Sequence, residues 1–199
     1  MLDVSSINNF FSNQKHSIDE KNGTLRLNFD RYHGDLKNTN LLPWLAANDV
    51  TLNKITLLRI DETTDKTANS PHADTVPGIM TVLVPLEFQA TLATITFKSF
   101  YNGSNKRGYK YRPNKQQYYH DEWLSNDDSF VTGITQKEFD QTLYQQYFGV
   151  LPIENYYGLE IDNIFEWSLG RPIKFPANQL HAAGNLQSMK RFFLCHYYG

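Results

Sequence analysis

The chain has 199 residues, a formal net charge of −2 and 40% hydrophobic residues, which is the composition of a soluble globular protein long enough to bury a core. The small net charge excludes a protein whose overall field draws it to nucleic acid or membrane. Its single cysteine, Cys195, excludes an internal disulfide and a cysteine-based zinc site. Residues 1–6 lack the basic start of a signal peptide, and no apolar stretch is long enough to span a membrane, so we expect a cytoplasmic protein.

The first quarter of the chain is predicted to hold two helices and a strand. Apolar residues at helical spacing predict a helix over residues 4–13, capped by Ser5 or Ser6. Alternation of apolar and polar residues predicts a half-buried strand at 24–29. A second helix is predicted at 40–47, with Asn40 as its cap.

From residue 55 onwards the pattern is dominated by short runs of β-branched and aromatic residues. Runs of this kind, separated by turn residues, favour a sandwich or barrel over a doubly wound sheet. The predicted strands are 55–60, 79–86, 93–97, 163–168, 173–175 and 189–197.

The segment at 101–158 differs from the rest of this β-rich region. Its first part is polar and rich in tyrosine, and Thr135 and Glu138 then resemble a capping box for a helix that ends near Gly149. We find no repeat and no linker. We therefore expect a single domain over residues 1–199, with an insertion at about 101–158.

Two histidines and one carboxylate are candidate metal ligands. His72 and Asp74 are two residues apart, a spacing that puts both side chains on the same face of a strand. His181 can supply a third ligand from a strand nearby in space. Two imidazoles and a carboxylate suit Fe(II), with Mn, Co, Ni or Zn as substitutes. Arg191, ten residues after His181, carries a fork of donors that can bind a carboxylate.

These segments resemble the Fe(II)- and 2-oxoglutarate-dependent oxygenases. The resemblance covers roughly residues 55–197 and rests on four features: His72-Ala73-Asp74, the run Thr81–Leu86, the stretch Gly170–Pro176 that leads to His181, and Arg191. It implies a mainly β fold, a double-stranded β-helix (jelly roll) with flanking helices.

The resemblance also implies a function. His72, Asp74 and His181 would hold Fe(II), Arg191 would bind the distal carboxylate of 2-oxoglutarate, and no catalytic residue beyond the metal ligands is expected. The enzyme would be a dioxygenase that uses O2 and 2-oxoglutarate, releases succinate and CO2, and hydroxylates a substrate that the sequence does not identify.

Two alternatives remain at this point. One is a non-catalytic jelly-roll binding or structural module in which His72 and His181 are merely hydrogen-bonded and no iron binds. The other is a cupin-type metal enzyme that does not use 2-oxoglutarate; Arg191 argues against it.

Other polar clusters are given lesser roles. Basic residues and tyrosines alternate over residues 106–119, a composition that can bind nucleic acid. The acidic balance of the chain favours a solvated loop instead, and a lid over the active site that recognises substrate is the preferred interpretation, because long loops in compact domains are often functional. The run His120-Asp121-Glu122 is not expected to bind a metal. The histidines without a partner pattern are expected to be ordinary surface or hydrogen-bonded residues: His16, His33, His120 and His196.

Overall fold

A computed structural model describes most of the chain. The described residues are 2–13, 17–19, 24–29, 39–63, 70–89, 91–104, 106, 108–111, 128–149, 151–184 and 189–199, of which 17–19, 24 and 128 are described by their backbone only. Helices and strands are numbered below in chain order.

Twelve strands are found in the described ranges, and they form two antiparallel sheets. The major sheet has the order β1 (Ser17–Asp19), β2 (Thr24–Asn28), β3 (Ile55–Thr63), β12 (Lys190–Tyr198), β5 (Ile79–Phe88) and β10 (Ile173–Pro176). The minor sheet has the order β7 (Tyr109–Lys110), β4 (His72–Ala73), β11 (Gln179–Gly184), β6 (Ala93–Tyr101) and β8 (Val131–Thr132), and β9 (Ile161–Glu166) also pairs with β6.

The strand order is that of a double-stranded β-helix. Strands β3, β4, β5 and β6 alternate between the major and minor sheets, and β9, β10, β11 and β12 return through the same two sheets in the opposite direction. The returning strands pair with the first four: β12 with β3, β11 with β4, β10 with β5 and β9 with β6. The predicted mainly β, jelly-roll fold with flanking helices is therefore confirmed.

In the described part of the chain, three α-helices flank the sheets, and their caps differ from the predictions. Helix α1 (Val4–Ser12) is capped by Asp3, which accepts from the Ser6 N–H at 3.0 Å, so neither Ser5 nor Ser6 is the cap. Helix α2 (Leu41–Ala47) begins after Asn40, whose side chain makes no capping bond. Helix α3 (Gln141–Tyr147) is capped by Asp140, which places its start beyond the predicted capping box.

The two faces of each sheet pack against different partners. On the outer face of the major sheet, Phe193 and Cys195 of β12 share an apolar cluster with Ile7 and Phe11 of α1. On the outer face of the minor sheet, Ile95, Phe97 and Ala182 pack with Tyr147 of α3. A third cluster of Leu92, Trp167, Ile173 and Phe175 lies between the sheets. The inner face, defined as the side of each sheet that faces the other sheet, also carries the candidate site.

Strand residues alternate between these faces, and this alternation assigns the side chains of β12. Because Phe193, Cys195 and Tyr197 belong to the outer cluster, Phe192, Leu194 and His196 point inwards. Phe192 accordingly packs on Trp167, with ring centroids 5.9 Å apart.

The structure also bears on the remaining sequence predictions. No helix in the described ranges has the length and hydrophobicity needed to cross a membrane. The segment predicted as an insertion contributes β7, β8 and α3, between β6 and β9. Most of the alternating basic and tyrosine run, and all of His120-Asp121-Glu122, lie outside the described residues.

Candidate metal centre

The structure brings the two predicted histidine ligands face to face. His72 of β4 pairs in register with His181 of β11, and side chains of directly paired residues lie on the same face of a sheet. The two ring centroids are 4.4 Å apart. Phe175 of the major sheet packs against the His181 ring from across the interior, at 4.7 Å between centroids, so both imidazoles lie at the inner face.

Asp74 completes the group immediately after β4. Its backbone N–H donates to the Ala177 carbonyl at 2.8 Å, which ties this residue to the turn between β10 and β11. Its Oδ1 lies 3.7 Å from His72 Nε2, and its Oδ2 lies 3.6 Å from His181 Nε2. One ligand atom from each of the three residues therefore lies within 4.8 Å of the others.

Backbone carbonyls determine which nitrogen of each imidazole is available. His72 Nδ1 lies 2.9 Å from the Ser70 carbonyl, and His181 Nδ1 lies 3.0 Å from the Gln179 carbonyl. A carbonyl oxygen can only accept, so both Nδ1 atoms carry a proton, and both Nε2 atoms are left on the side of Asp74. Orientation of a metal-binding histidine by a hydrogen bond from its other nitrogen is the usual arrangement in metalloproteins.

The electrostatics of the group favour the ligand forms of two of its members. Burial, together with the neighbouring His181, lowers the pKa of His72 to about 4, so this imidazole is neutral at pH 7. Burial alone would raise the pKa of Asp74, but His181, followed by His196 and His72, outweighs that effect and holds the pKa below its usual range. Asp74 is therefore ionised.

This arrangement fits a divalent cation. When both imidazoles are neutral, their Nε2 lone pairs and the Asp74 carboxylate form a set of three ligands, and a cation can take the place of the protons that otherwise bind there. Ligand atoms about 2.1 Å from one ion are separated by about 3.0 Å when adjacent and about 4.2 Å when opposed. The observed separations of 3.6 and 3.7 Å lie between these values.

A third histidine belongs to the centre, although the sequence pattern assigned it no partner. His196 of β12 is buried, and its Nε2 donates to Asp74 Oδ2 at 3.2 Å. Thr81 Oγ1 donates to the same oxygen at 3.4 Å. Two donors therefore hold Oδ2 from the major sheet, and Oδ1 remains directed at His72. His196 is hydrogen-bonded, as expected, but the sequence did not predict that its partner is Asp74. The available signal was that His196 lies an even number of residues from Phe192 and Leu194, so alternation along the strand places all three on the same face.

The structure does not bring Arg191 to this centre. Arg191 has the opposite alternation to His196 and lies on the outer face of the major sheet, with its guanidinium carbon 4.7 Å from the centroid of the Phe11 ring in α1. The guanidinium donates to Glu62 through Nε at 2.8 Å and through a second nitrogen, and it also contacts Glu87. The carboxylates of Glu62 and Glu87 therefore already bind the Arg191 guanidinium on the outer face of the sheet. The prediction that Arg191 binds a cosubstrate in the interior is corrected by this position.

Gly108 allows a close approach beside the metal ligands. Its φ is +99°, and a Cβ at this position would lie 2.4 Å from the Ala73 carbonyl oxygen and 2.8 Å from the Asp74 carbonyl oxygen. Both contacts are with backbone, which cannot rotate out of the way. The position therefore requires glycine for conformation and for space.

We expect Gly108→Ala to weaken binding of Co(II) by displacing the segment that carries Asp74. Gly78→Ala is the matched control, because Gly78 has a similar φ of +85° but no atom within 4 Å of the added Cβ. Both variants carry a conformational strain of about 1–3 kcal/mol, measurable by urea unfolding. Only Gly108→Ala should also lower the affinity for Co(II), followed by visible absorption. Equal metal affinity in both variants would show that this contact does not position Asp74.

A cavity away from the centre is lined by none of the candidate metal ligands. It has a volume of about 490 Å³ and lies beside β9, β10 and α3, where its walls include Tyr147, Glu166 and Arg171. The convergence of side chains at Asp74 is the stronger indicator of chemistry, because that cavity holds no comparable cluster of metal ligands in its lining.

Comparison with known proteins gives likenesses of structure only. No family model and no curated protein matches the chain. Two solved structures that it resembles are E. coli ycfD, with a TM-score of 0.42 and 12% identity, and the epimerase SnoN in complex with Fe3+, alpha ketoglutarate and nogalamycin RO, with a TM-score of 0.49 and 11% identity.

The two matches differ in how much of each protein they cover. The chain is covered to 88% by the ycfD match and to 98% by the SnoN match, and it spans 33% and 72% of those two chains, respectively. Both TM-scores are below 0.5, so the assignment of the centre rests on the residues of this chain and on the strand order.

Proposed function

We propose that the chain is an Fe(II)- and 2-oxoglutarate-dependent dioxygenase in which His72, Asp74 and His181 hold the iron. The observation that carries this proposal is the convergence of two imidazole lone pairs and an ionised carboxylate at the inner face of a double-stranded β-helix. Two imidazoles and one carboxylate leave coordination positions open for further ligands. When bound, iron and 2-oxoglutarate would supply the oxidation in which O2 and the 2-oxo acid are consumed, succinate and CO2 are released, and a substrate C–H bond is hydroxylated.

The chain's own residues prepare the centre for this chemistry. The Ser70 and Gln179 carbonyls orient the two imidazoles, and His196 and Thr81 hold one oxygen of Asp74. Because each ligand side chain is held by a hydrogen bond, the centre is organised before an ion arrives. Phe175 and the apolar cluster around Trp167 limit water in the adjoining interior.

The direct test of this proposal uses anaerobic Fe(II) and 2-oxoglutarate. We expect a weak visible charge-transfer band when both are added to the purified protein, and no band when either is omitted or when Asp74→Ala is used. Succinate release in air provides a second readout. Stoichiometric binding of Fe(II) without any band or succinate would instead support a metal enzyme that does not use 2-oxoglutarate. Failure to bind Fe(II) would support the non-catalytic module.

A further inference from the structure

Where β9 leads into β10, each sheet ends in a strand that has a single paired neighbour within the described ranges. In the minor sheet this strand is β9, which pairs with β6, and in the major sheet it is β10, which pairs with β5. The cavity of about 490 Å³ adjoins both strands, with Ile164 and Glu166 of β9 and Ile173 of β10 in its walls. The free edge of a strand presents backbone N–H and C=O groups with which another strand can pair.

The register of β9 shows which backbone groups face this cavity. The Trp167 N–H donates to the Leu92 carbonyl at 2.8 Å, immediately beyond the last register pair of β9 and β6. In an antiparallel pair every second residue directs its backbone groups at the neighbouring strand, so Trp167 and Phe165 bond towards β6. Ile164 and Glu166 therefore direct their N–H and C=O groups away from β6, on the side of the cavity that both residues line.

The same alternation gives β10 an edge of the opposite kind. The Ala177 N–H donates to the Ile79 carbonyl at 2.8 Å, so the backbone groups of Lys174 and Pro176 point away from β5. Proline has no N–H to donate, and proline and lysine are the residues that protect edge strands from further pairing. Of the two strands beside the cavity, β9 is therefore the one that is open to an added strand.

The side chains along the free edge of β9 determine what can pair with it. Glu166 and Arg171 both line the cavity, and neither side chain makes an ion pair or a hydrogen bond with another residue that the structure describes. Two copies of β9 paired antiparallel about Ile164 would set Glu166 opposite Asp162, and like charges directly opposite each other are destabilising. A strand with a basic residue opposite Glu166 complements this edge, and an apolar residue fits opposite Ile164.

We propose that the free edge of β9 binds an extended peptide segment of a partner protein as an added strand. The segment has an apolar residue opposite Ile164, a basic residue opposite Glu166 two positions along, and an acidic residue two positions further, towards Arg171 in the β9–β10 turn. Residues at this spacing lie on the same face of a strand. Main-chain hydrogen bonds to Ile164 and Glu166 supply the affinity, and the charged side chains supply the specificity. The site is separate from the metal centre, since its lining contains no candidate metal ligand.

An NMR titration of the full chain with a designed peptide tests this proposal. The peptide acetyl-Glu-Thr-Lys-Thr-Val-Thr-Lys-Thr-Glu-amide has the proposed pattern and reads the same in both directions, so it fits β9 in either orientation. We expect a dissociation constant below about 1 mM, and slow exchange of the Ile164 and Glu166 amide protons only in the complex. A control peptide in which lysines and glutamates are exchanged has the same composition and should bind about 10-fold more weakly.

Variants of the chain and of the peptide separate the two contributions. Glu166→Lys combined with Arg171→Glu should reverse the preference, so that the control peptide binds more tightly. Ile164→Pro removes an N–H that faces the cavity and no bond to β6, and it should weaken binding about 10-fold, with thermal unfolding as the check that the variant is folded. Two peptides methylated at alternate amides make the same test on the unmodified protein, because only one of them should lose its affinity.

Four results would each overturn the proposal. They are the absence of saturable binding, equal affinity for the two charge patterns, a preference that the double charge exchange leaves unreversed, and equal affinity for the two methylated peptides. Chemical-shift changes confined to residues outside β9 and the β9–β10 turn would also overturn it, because they would place the peptide elsewhere on the molecule.

Discussion

Replacement of His181 by alanine should abolish tight binding of a divalent ion. His181 supplies one of three converging ligand atoms, and its Nε2 lies 3.6 Å from Asp74 Oδ2. With one imidazole removed, the remaining pair cannot surround the ion on one side, and water must replace a ligand that the Gln179 carbonyl holds in place. Anaerobic titration with Co(II), followed by visible absorption, measures the loss directly.

The same titration should show a partial loss of Co(II) affinity when His196 is replaced by alanine. His196 contacts Asp74 and is not among the three converging ligands, so His196→Ala should weaken Co(II) binding by about 10- to 100-fold, the range for partners that orient a ligand. The loss of Co(II) affinity in His181→Ala should be larger than the loss in His196→Ala. Thermal unfolding of both variants without metal checks that each remains folded. Affinity close to that of the unmodified protein in folded His181→Ala would exclude His181 as a ligand.

The fold and the shared face of His72 and Asp74 were accessible from the sequence because both depend on local periodicity. Runs of β-branched residues predicted the long strands β3, β5 and β12 with ends within three residues of those observed. The spacing of His72 and Asp74 placed both side chains on one face, and the structure brings them to the same group. The register pairing of His72 with His181 connects residues more than one hundred positions apart, and no local pattern predicts it.

The position of Arg191 was not accessible in the same way. Alternation along β12 divides its side chains into two sets but does not say which set faces the interior, and a shift of one residue exchanges them. Helix α1 determines which set faces outwards, because its Ile7 and Phe11 cover the set that contains Phe193 and Cys195. The other set, which contains His196, therefore faces the interior, where His196 contacts Asp74.

The helix starts show a second limit of local patterns. Thr135 and Glu138 match a capping box, yet Thr135 Oγ1 accepts from the nearby Lys137 N–H and the helix begins at Gln141. Asp140 supplies the cap through the Leu143 N–H. Several residues that can cap a helix stand close together here, and packing of the buried Phe139 and Tyr147 selects among them.

Arg191→Ala should lower the free energy of unfolding by about 3 kcal/mol, because it leaves a largely buried carboxylate without its partner. The side chains of Arg191 and Glu62 are only 11% and 18% exposed, and Arg191 also donates to Asn8 of α1 at 3.0 Å. The variant therefore loses an ion pair and a connection between α1 and the major sheet. Urea unfolding measures the change, and hydrogen exchange should show the largest loss of protection in α1.

A double-mutant cycle separates this structural role from cosubstrate binding. Glu62→Gln removes the charge that Arg191 compensates, so Arg191→Met combined with Glu62→Gln should be more stable than the sum of the two single changes predicts. Throughout the cycle the 2-oxoglutarate requirement should stay constant, since the guanidinium lies on the outer face with Phe11. Stability unchanged by Arg191→Ala, together with a raised 2-oxoglutarate requirement, would return Arg191 to the role that its spacing from His181 first indicated. The converse result would show that an arginine at this spacing connects a helix to the outer face of the major sheet.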